Sequence, residues 1–352
     1  MSKVNYFRWR LRAVCALTAV LGLGAPAIFA QAQPQSCSQP TPLRIQVFEG
    51  SIINMQAIVA MKQGFLQKHC LAGSLVPIVN TPLSVTATMN GTVDLINSGT
   101  DNIVAARAQG IKLKMVSNIA DRAIYSLVVR KELVKPSYRE TLQALSGKKV
   151  GVVVVGGSNE FHARLHFTDE GMPANSVTYV SLGLTNSMLM ALEKGTVDAV
   201  VFFGTAQDMA VAKGMGVIVS DSRKPVGPNN PVPKSFQVLG PTSLLWAAQE
   251  SFIQKNPEAI LRFKVAMTEA SAWTRDPANR SKLYELMKDQ LAIPGDVPGA
   301  EKIYRDSIDT YAAMTSSTLS RDAVKAYIDF TVAARDVKTT LTVDELVWDG
   351  RK

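Results

Sequence analysis

The sequence repeats one order of strands, turns and helices at an offset of about a hundred residues. An apolar run that ends in Gly-Ser and leads into a helical pattern occurs at residues 43–51 and again at residues 149–158. Each copy later contains Gly-Thr-Val-Asp, at 91–94 and at 195–198, and then a short strand that ends in Gly-Thr. A single Gly before a strand would be ordinary turn chemistry, but a whole series in the same order indicates a repeated architecture. Each half therefore predicts a β-α-β-α-β-α unit, and hence an α/β fold with mostly parallel sheets flanked by helices.

The repeat predicts two lobes. We expect the first lobe to comprise residues 43–134 and 236–345, including the C-terminal helices, and the second lobe to comprise residues 135–235. The predicted connections are the chain around Lys135-Pro136 and the proline-rich segment 222–235.

Residues 1–32 have the pattern of a secretory signal peptide. A basic start precedes an uncharged stretch at 13–29, which is shorter than an ordinary membrane span and is followed by Ala30-Gln31-Ala32. We expect cleavage after Ala32, with Ala30 as the second choice and an uncleaved anchor as the remaining alternative, and hence a periplasmic location. Cleavage removes four positive charges, so the net charge falls from +9 to +5. The remaining basic residues include only isolated pairs, which does not indicate nucleic-acid binding.

Two cysteines remain after this cleavage, Cys37 and Cys70. We expect a disulfide bond between them because exported proteins commonly oxidise such a pair, although the sequence does not show whether their Cα atoms lie within bridging distance. The sequence has no Cys-x-x-Cys motif that would favour a metal site.

The turns that follow the predicted parallel strands are the expected ligand-binding positions, because ligands bind beyond the carboxyl ends of such strands. Their backbone N–H groups and helix N-termini suit an anionic group. Ser158 and Thr100 are the leading candidates, and the alternative for both is that they only cap a helix. Nearby apolar residues are either ligand contacts or ordinary core. The predicted ligand-binding set is Gly50, Ser51, Ile52, Thr81, Ser98, Gly99, Thr100, Gly157, Ser158, Asn159, Thr185 and Phe203.

The order of these motifs resembles that of periplasmic substrate-binding proteins of ABC importers, in the group that includes nitrate, taurine, alkanesulfonate and thiamine-precursor binders. The resemblance covers about residues 43–290, and it rests on the two Gly-Thr-Val-Asp motifs and on Ala60, Gly64-Phe65-Leu66, Leu145-Ser-Gly-Lys-Lys-Val-Gly151 and Asn256-Pro-Glu. It implies a two-lobed periplasmic-binding-protein-like fold (type II), a ligand cleft between lobes that close by hinge motion, and a membrane permease as partner. It also implies ligand-facing positions at Ser51, Ser98, Gly99, Thr100, Gly157, Ser158 and Asn159.

The motifs of common enzymes are missing from the sequence. His162 and His166 stand four apart on a predicted helix, but the intervening residues lack the glutamate of a His-Glu-x-x-His zinc site. No Gly-x-Ser-x-Gly or phosphate-binding loop occurs either. We therefore expect no catalytic residues, no metal and no cofactor, and leave the role of the two histidines open.

The function expected from the sequence is capture of a small organic molecule, acidic in character, by a monomeric solute-binding protein of an ABC importer. Glu49, beside the first Gly-Ser turn, disfavours nitrate or a sulfonate as that molecule. One alternative is a periplasmic enzyme of the pyrimidine-precursor type, although the related enzymes carry a cysteine-rich motif that this sequence lacks. The other is a ligand-sensing subunit of a signalling system.

Overall fold

The computed structural model describes residue 37 and residues 39–291, 293–335 and 340–350. The predicted signal peptide at 1–32 lies outside these residues. In the described part of the chain, no helix is both long enough and apolar enough to cross a membrane.

Strands and helices alternate along most of the chain. The strands are β1 (Thr41–Val47), β2 (Leu71–Pro77), β3 (Ile96–Gly99), β4 (Leu113–Ala120), β5 (Ser126–Val129), β6 (Lys149–Val152), β7 (Thr178–Ser181), β8 (Ala199–Phe202), β9 (Val217–Asp221) and β10 (Leu244–Gln249). The helices before β10 are α1 (Met55–Lys62), α2 (Phe65–Lys68), α3 (Thr81–Met89), α4 (Thr100–Ala108), α5 (Tyr138–Ala144), α6 (Ser158–Thr168), α7 (Thr185–Glu193), α8 (Ala206–Ala212) and α9 (Lys234–Leu239). The helices after it are α10 (Glu250–Lys255), α11 (Pro257–Arg275), α12 (Arg280–Met287), α13 (Ala300–Met314), α14 (Arg321–Arg335) and α15 (Val343–Leu346).

The two halves of the repeat build two sheets with the same strand order. The first sheet runs β2-β1-β3-β10-β4, where a parallel bridge between Ile45 and Leu95 joins its two parts. The second sheet runs β7-β6-β8-β5-β9. In each sheet the fourth strand is antiparallel to both neighbours and the other strands are parallel to one another. The α/β architecture with mostly parallel sheets, predicted from the repeat, is confirmed.

The antiparallel strand of each sheet is the one with no counterpart inside the repeat. β5 lies in the second sheet, between β8 and β9, although the sequence predicted that the second lobe begins only at residue 135. Its residues Leu127, Val128 and Val129 are fully buried, as expected for a strand covered on both faces. The predicted first lobe, 43–134, included this strand, because an apolar run of this kind fits the centre of either sheet. We call the first sheet with its helices the first lobe, and the second sheet with its helices the second lobe.

The helices after β10 pack mainly on the first sheet. Trp246 of β10 is fully buried, donates from Nε1 to Oε1 of Gln56 at 2.5 Å, and meets the ring of Phe263 edge to face at 5.8 Å. Gln56 in turn donates to Oγ of Ser271 at 2.8 Å. These contacts join α1, α11 and the sheet into one core. Two of these helices reach both lobes: α14 packs against α4 and α6, and α13 packs against α11 and α8.

The predicted disulfide bond between Cys37 and Cys70 is confirmed, with the two Cα atoms 5.4 Å apart. It fixes the chain just before β1 to the turn between α2 and β2. Thr41 continues this attachment by donating its backbone N–H to the carbonyl oxygen of Cys70 at 2.9 Å.

Candidate functional site

A cavity lies between the two lobes at the carboxyl ends of their parallel strands. It is lined by residues of both lobes, and the space within it that is open to the centre of a water-sized molecule is about 60 Å³. Of the predicted ligand-binding residues, those that line it are Thr81, Gly99, Gly157, Ser158, Asn159 and Phe203. The predicted residues that do not line it are Gly50, Ser51, Ile52, Ser98, Thr100 and Thr185.

The remaining walls of the cavity are largely apolar. They include Phe48, Ile53 and Ile124 from the first-lobe side and Val153, Val154 and Leu184 from the second. Among the described residues that line the cavity, none is Lys, Arg, His, Asp or Glu.

The lobes touch where β3 ends and α6 begins. A Cβ atom added at Gly99 would lie 1.8 Å from Oγ of Ser158, so glycine is required here by the close approach of the other lobe, not by its ordinary backbone angle. The Ser158 hydroxyl donates a hydrogen bond to the carboxylate of Asp101 and accepts one from Nδ2 of Asn102 at 2.8 Å. Asp101 is fully buried. The start of α6 is therefore hydrogen-bonded directly to the start of α4 across the two lobes.

Thr100 faces away from the cavity. Its hydroxyl donates to the carbonyl oxygen of Thr242, and its backbone N–H donates to the carbonyl oxygen of Ser243 at 3.3 Å. These partners lie in the segment that leads into β10. Thr100 thus attaches α4 to the returning chain, and its hydroxyl is already engaged.

Asn159 holds its own turn in shape. Its side-chain oxygen accepts from the backbone N–H of Val153 at 2.9 Å, and Nδ2 donates to the carbonyl oxygen of Val201 at 2.6 Å. Asn54 acts similarly in the first lobe: its side-chain oxygen accepts from the backbone N–H of Phe48, again six residues earlier, but its Nδ2 donates to the carbonyl oxygen of that same residue. Asn159 was predicted as a site residue, but its counterpart Asn54 was missed, because the two asparagines follow the Gly-Ser of their halves at different distances.

His162 is buried behind the cavity wall. Nδ1 lies 2.7 Å from the carbonyl oxygen of Ser158, which only accepts, so Nδ1 carries the proton. Nε2 then accepts from the hydroxyl of Tyr327 at 3.2 Å. Burial raises the pKa of Tyr327 well above its usual value, which keeps this hydroxyl a donor. The imidazole also stacks on Tyr125, a cavity residue, with ring centres 4.1 Å apart. No motif around Tyr327 in the sequence indicated that this residue of α14 contacts His162.

His166 occupies a separate contact one turn further along α6. Its Nδ1 lies 2.5 Å from the hydroxyl of Tyr138. Burial, with a smaller contribution from His162, lowers the pKa of His166 from 6.5 to about 3. Within the described ranges, no group of three or more His, Cys, Asp and Glu residues is placed to hold a metal ion.

A buried arginine fixes the Gly-Thr turn of the second lobe. Arg223 donates to the carbonyl oxygen of Gly204 at 3.1 Å and pairs with the carboxylates of Asp208 and Asp221, each at 2.8 Å. Burial opposes ionisation of Asp221, but the guanidinium of Arg223 holds its pKa below the usual value. Tyr311 of α13 accepts from the backbone N–H of Gly204 at 2.8 Å. A C-terminal helix therefore supports this turn as well.

Two sheets of this order with a cavity between them define a periplasmic-binding-protein-like fold, and comparison with solved structures agrees. The alkanesulfonate-binding protein SsuA from Xanthomonas axonopodis pv. citri, bound to MOPS, superimposes with a TM-score of 0.69 at 16% identity, covering 88% of this chain and 99% of that one. The periplasmic aliphatic sulphonate binding protein SsuA from Escherichia coli gives 0.68 at 18% identity, covering 88% and 93%.

The chain belongs to the NMT1/THI5 like family, whose model matches residues 54–279. A curated relative is the 4-amino-5-hydroxymethyl-2-methylpyrimidine phosphate synthase of Aspergillus parasiticus. It is 24% identical over 276 residues, which cover 76% of this chain and 75% of that protein.

Proposed function

We propose that this protein is the periplasmic solute-binding component of an ABC-type importer, which takes a small organic molecule into the cavity between its lobes and presents it, as a monomer, to a membrane permease. The observation that carries the proposal is the cavity itself. It is built from the ends of both sheets, and the lobes meet beside it at Gly99 and Ser158. A molecule held there contacts both lobes at once, so its binding favours the arrangement in which they touch.

The periplasmic location rests on the predicted signal peptide at 1–32 and on the disulfide bond, which is typical of oxidising compartments. The structural relatives named as alkanesulfonate-binding and sulphonate-binding proteins support the same class of function. The apolar walls favour an organic solute over a bare inorganic ion.

The second candidate is an enzyme of pyrimidine-precursor synthesis, favoured by the name of the curated relative. The two functions differ in what happens to a bound molecule. A binding protein releases it unchanged, whereas a synthase converts it.

The test is ligand-induced stabilisation of the exported protein. Native mass spectrometry of the protein as purified first looks for a retained small molecule. A thermal-shift screen follows with amines, alcohols, carboxylates, sulfonates and 4-amino-5-hydroxymethyl-2-methylpyrimidine. We expect at least one compound to raise the melting temperature and to be recovered unchanged after incubation. A screen in which no compound stabilises the protein would contradict the proposal, and conversion of the bound compound would favour the synthase.

A further inference from the structure

We propose that the cavity selects a solute whose polar group donates hydrogen bonds, as an amine or a hydroxyl does, and that Asp101 is the residue that excludes anions. This inference rests on the proposed function. It replaces the acidic solute expected from the sequence, where Ser158 and the helix N-termini were taken as donors to an anion.

The Ser158 hydroxyl has no hydrogen left for an anion. A hydroxyl has one donor hydrogen and two acceptor lone pairs. The hydrogen goes to the Asp101 carboxylate, and one lone pair accepts from Nδ2 of Asn102. What Ser158 offers to the cavity is therefore its second lone pair, which binds an N–H or O–H group and repels an oxyanion.

The helix N-termini at the lobe contact already carry acids. Asp101 lies in the first turn of α4, and Glu160 lies in the first turn of α6, where it accepts from the backbone N–H of Gly156 at 2.6 Å. A carboxylate in this position offsets the positive end of the helix dipole. The N-terminus of α3, at the rim of the cavity, is capped by Asn80, whose side-chain oxygen accepts from the N–H of Leu83 at 3.0 Å. The N-terminus of α3 is thus capped from within the chain, and α4 and α6 each carry an acid in the first turn that disfavours a second negative charge beside it.

The cavity walls, as far as the structure describes them, offer no cationic side chain to an anionic head group. The described residues that line the cavity include no Lys or Arg. Arg164, one turn beyond Glu160, is ion-paired with that same residue and lies over the ring of Tyr179. An anionic head group in the cavity would lose its hydration and meet the buried Asp101 charge behind Ser158, which is unfavourable in a low-dielectric site. An amine or hydroxyl group would instead donate to the Ser158 oxygen, which lies beside the negative charge of Asp101.

The experiment compares compounds that share a skeleton and differ in the polar group. Isothermal titration of the exported protein uses benzylamine, benzyl alcohol, benzoate and benzenesulfonate, and also 4-amino-5-hydroxymethyl-2-methylpyrimidine against its phosphate ester. We expect the amine and alcohol members to bind at least about tenfold more tightly than the acidic members of the same series. Asp101→Asn keeps the size of the side chain and removes its charge, so amine binding should weaken about tenfold and binding of the acid members should strengthen.

The matched control is Asp329→Asn, which removes an exposed carboxylate on α14 and should leave every affinity unchanged. The wild-type preference tests the inference even if Asp101→Asn does not fold, and Ser158→Ala gives a second variant that should reduce amine binding. Acid members that bind the wild type as tightly as the amines would overturn the inference while leaving the proposed function intact. An unchanged preference in Asp101→Asn would overturn it as well. No binding by any member of either series would contradict both.

Discussion

At the scale of single residues, His166 makes the stability of the second lobe depend on pH. The imidazole is fully buried against Tyr138 and its pKa is lowered to about 3 by burial. In the unfolded chain a histidine takes up its proton near pH 6.5. Between about pH 6.5 and pH 3 the unfolded state therefore binds more protons at this residue than the folded state does, and stability falls as the pH falls through that window.

We predict that, because of this residue, the unfolding free energy falls by about 2 kcal/mol when the pH is lowered from 7.5 to 5. Urea unfolding at a series of pH values measures it. His166→Asn keeps an atom near the position of Nδ1 for the Tyr138 hydroxyl and does not titrate, so its unfolding free energy should fall less over the same range. Parallel pH profiles for the wild type and His166→Asn would contradict this prediction.

At the scale of elements, α14 connects the two lobes. It packs against α4 of the first lobe and α6 of the second, and Tyr327 on α14 donates to His162 on α6. Because the carbonyl oxygen of Ser158 accepts from the other nitrogen of His162, this bond also helps to fix the turn beside the cavity.

Tyr327→Phe should lower the unfolding free energy by about 1–3 kcal/mol, because it removes the hydroxyl that donates a buried hydrogen bond to Nε2 of His162. Thermal and urea unfolding give the measurement. Tyr304→Phe is the matched control, since the Tyr304 hydroxyl donates to a backbone oxygen in a partly exposed site on α13 and its loss should cost less than 1 kcal/mol, about the value of an ordinary hydrogen bond. Equal decreases in unfolding free energy in the two variants would show that the hydrogen bond to His162 stabilises the protein no more than an ordinary one.

The elements also show why part of the molecule could be predicted and part could not. Gly-Ser and Gly-Thr at strand ends are local signals, so the positions of Gly157 and Ser158 beside the cavity followed from the repeat. Thr100 has the same local signal, but its hydroxyl turns to Thr242, which is distant in sequence. β5 and Tyr327 reach their positions through long-range pairing and packing, which periodicity does not encode. Asp101 is next to Thr100 in the sequence, but its hydrogen bond with Ser158 forms only because the second lobe lies against it. Binding of a ligand by the cavity residues stays a prediction.

At the scale of the whole molecule, the proposed function requires the lobes to come together, and Gly99 is where the structure leaves no room between them. The first atom of any side chain at this position would overlap Ser158 of the other lobe, since its Cβ would lie 1.8 Å from Oγ. The lobes would have to separate or α6 would have to shift. The backbone angle of Gly99 is ordinary, and inside the first lobe the added Cβ would approach only the end of a side chain, Oδ1 of Asp101 at 2.8 Å, so the more severe overlap is the one with the other lobe.

We therefore predict that Gly99→Ala weakens binding of any solute that stabilises the wild type about 5- to 150-fold, which corresponds to an overpacking cost of about 1–3 kcal/mol in the arrangement in which the lobes touch. Titration calorimetry measures the affinity, and small-angle X-ray scattering should show a larger radius of gyration than for the wild type. Gly227→Ala is the control, because a Cβ there meets no atom within 4 Å. It should leave both quantities unchanged. Wild-type affinity in Gly99→Ala would mean that binding does not depend on contact between the lobes at Ser158. It would contradict the proposal that the lobes close on the bound solute.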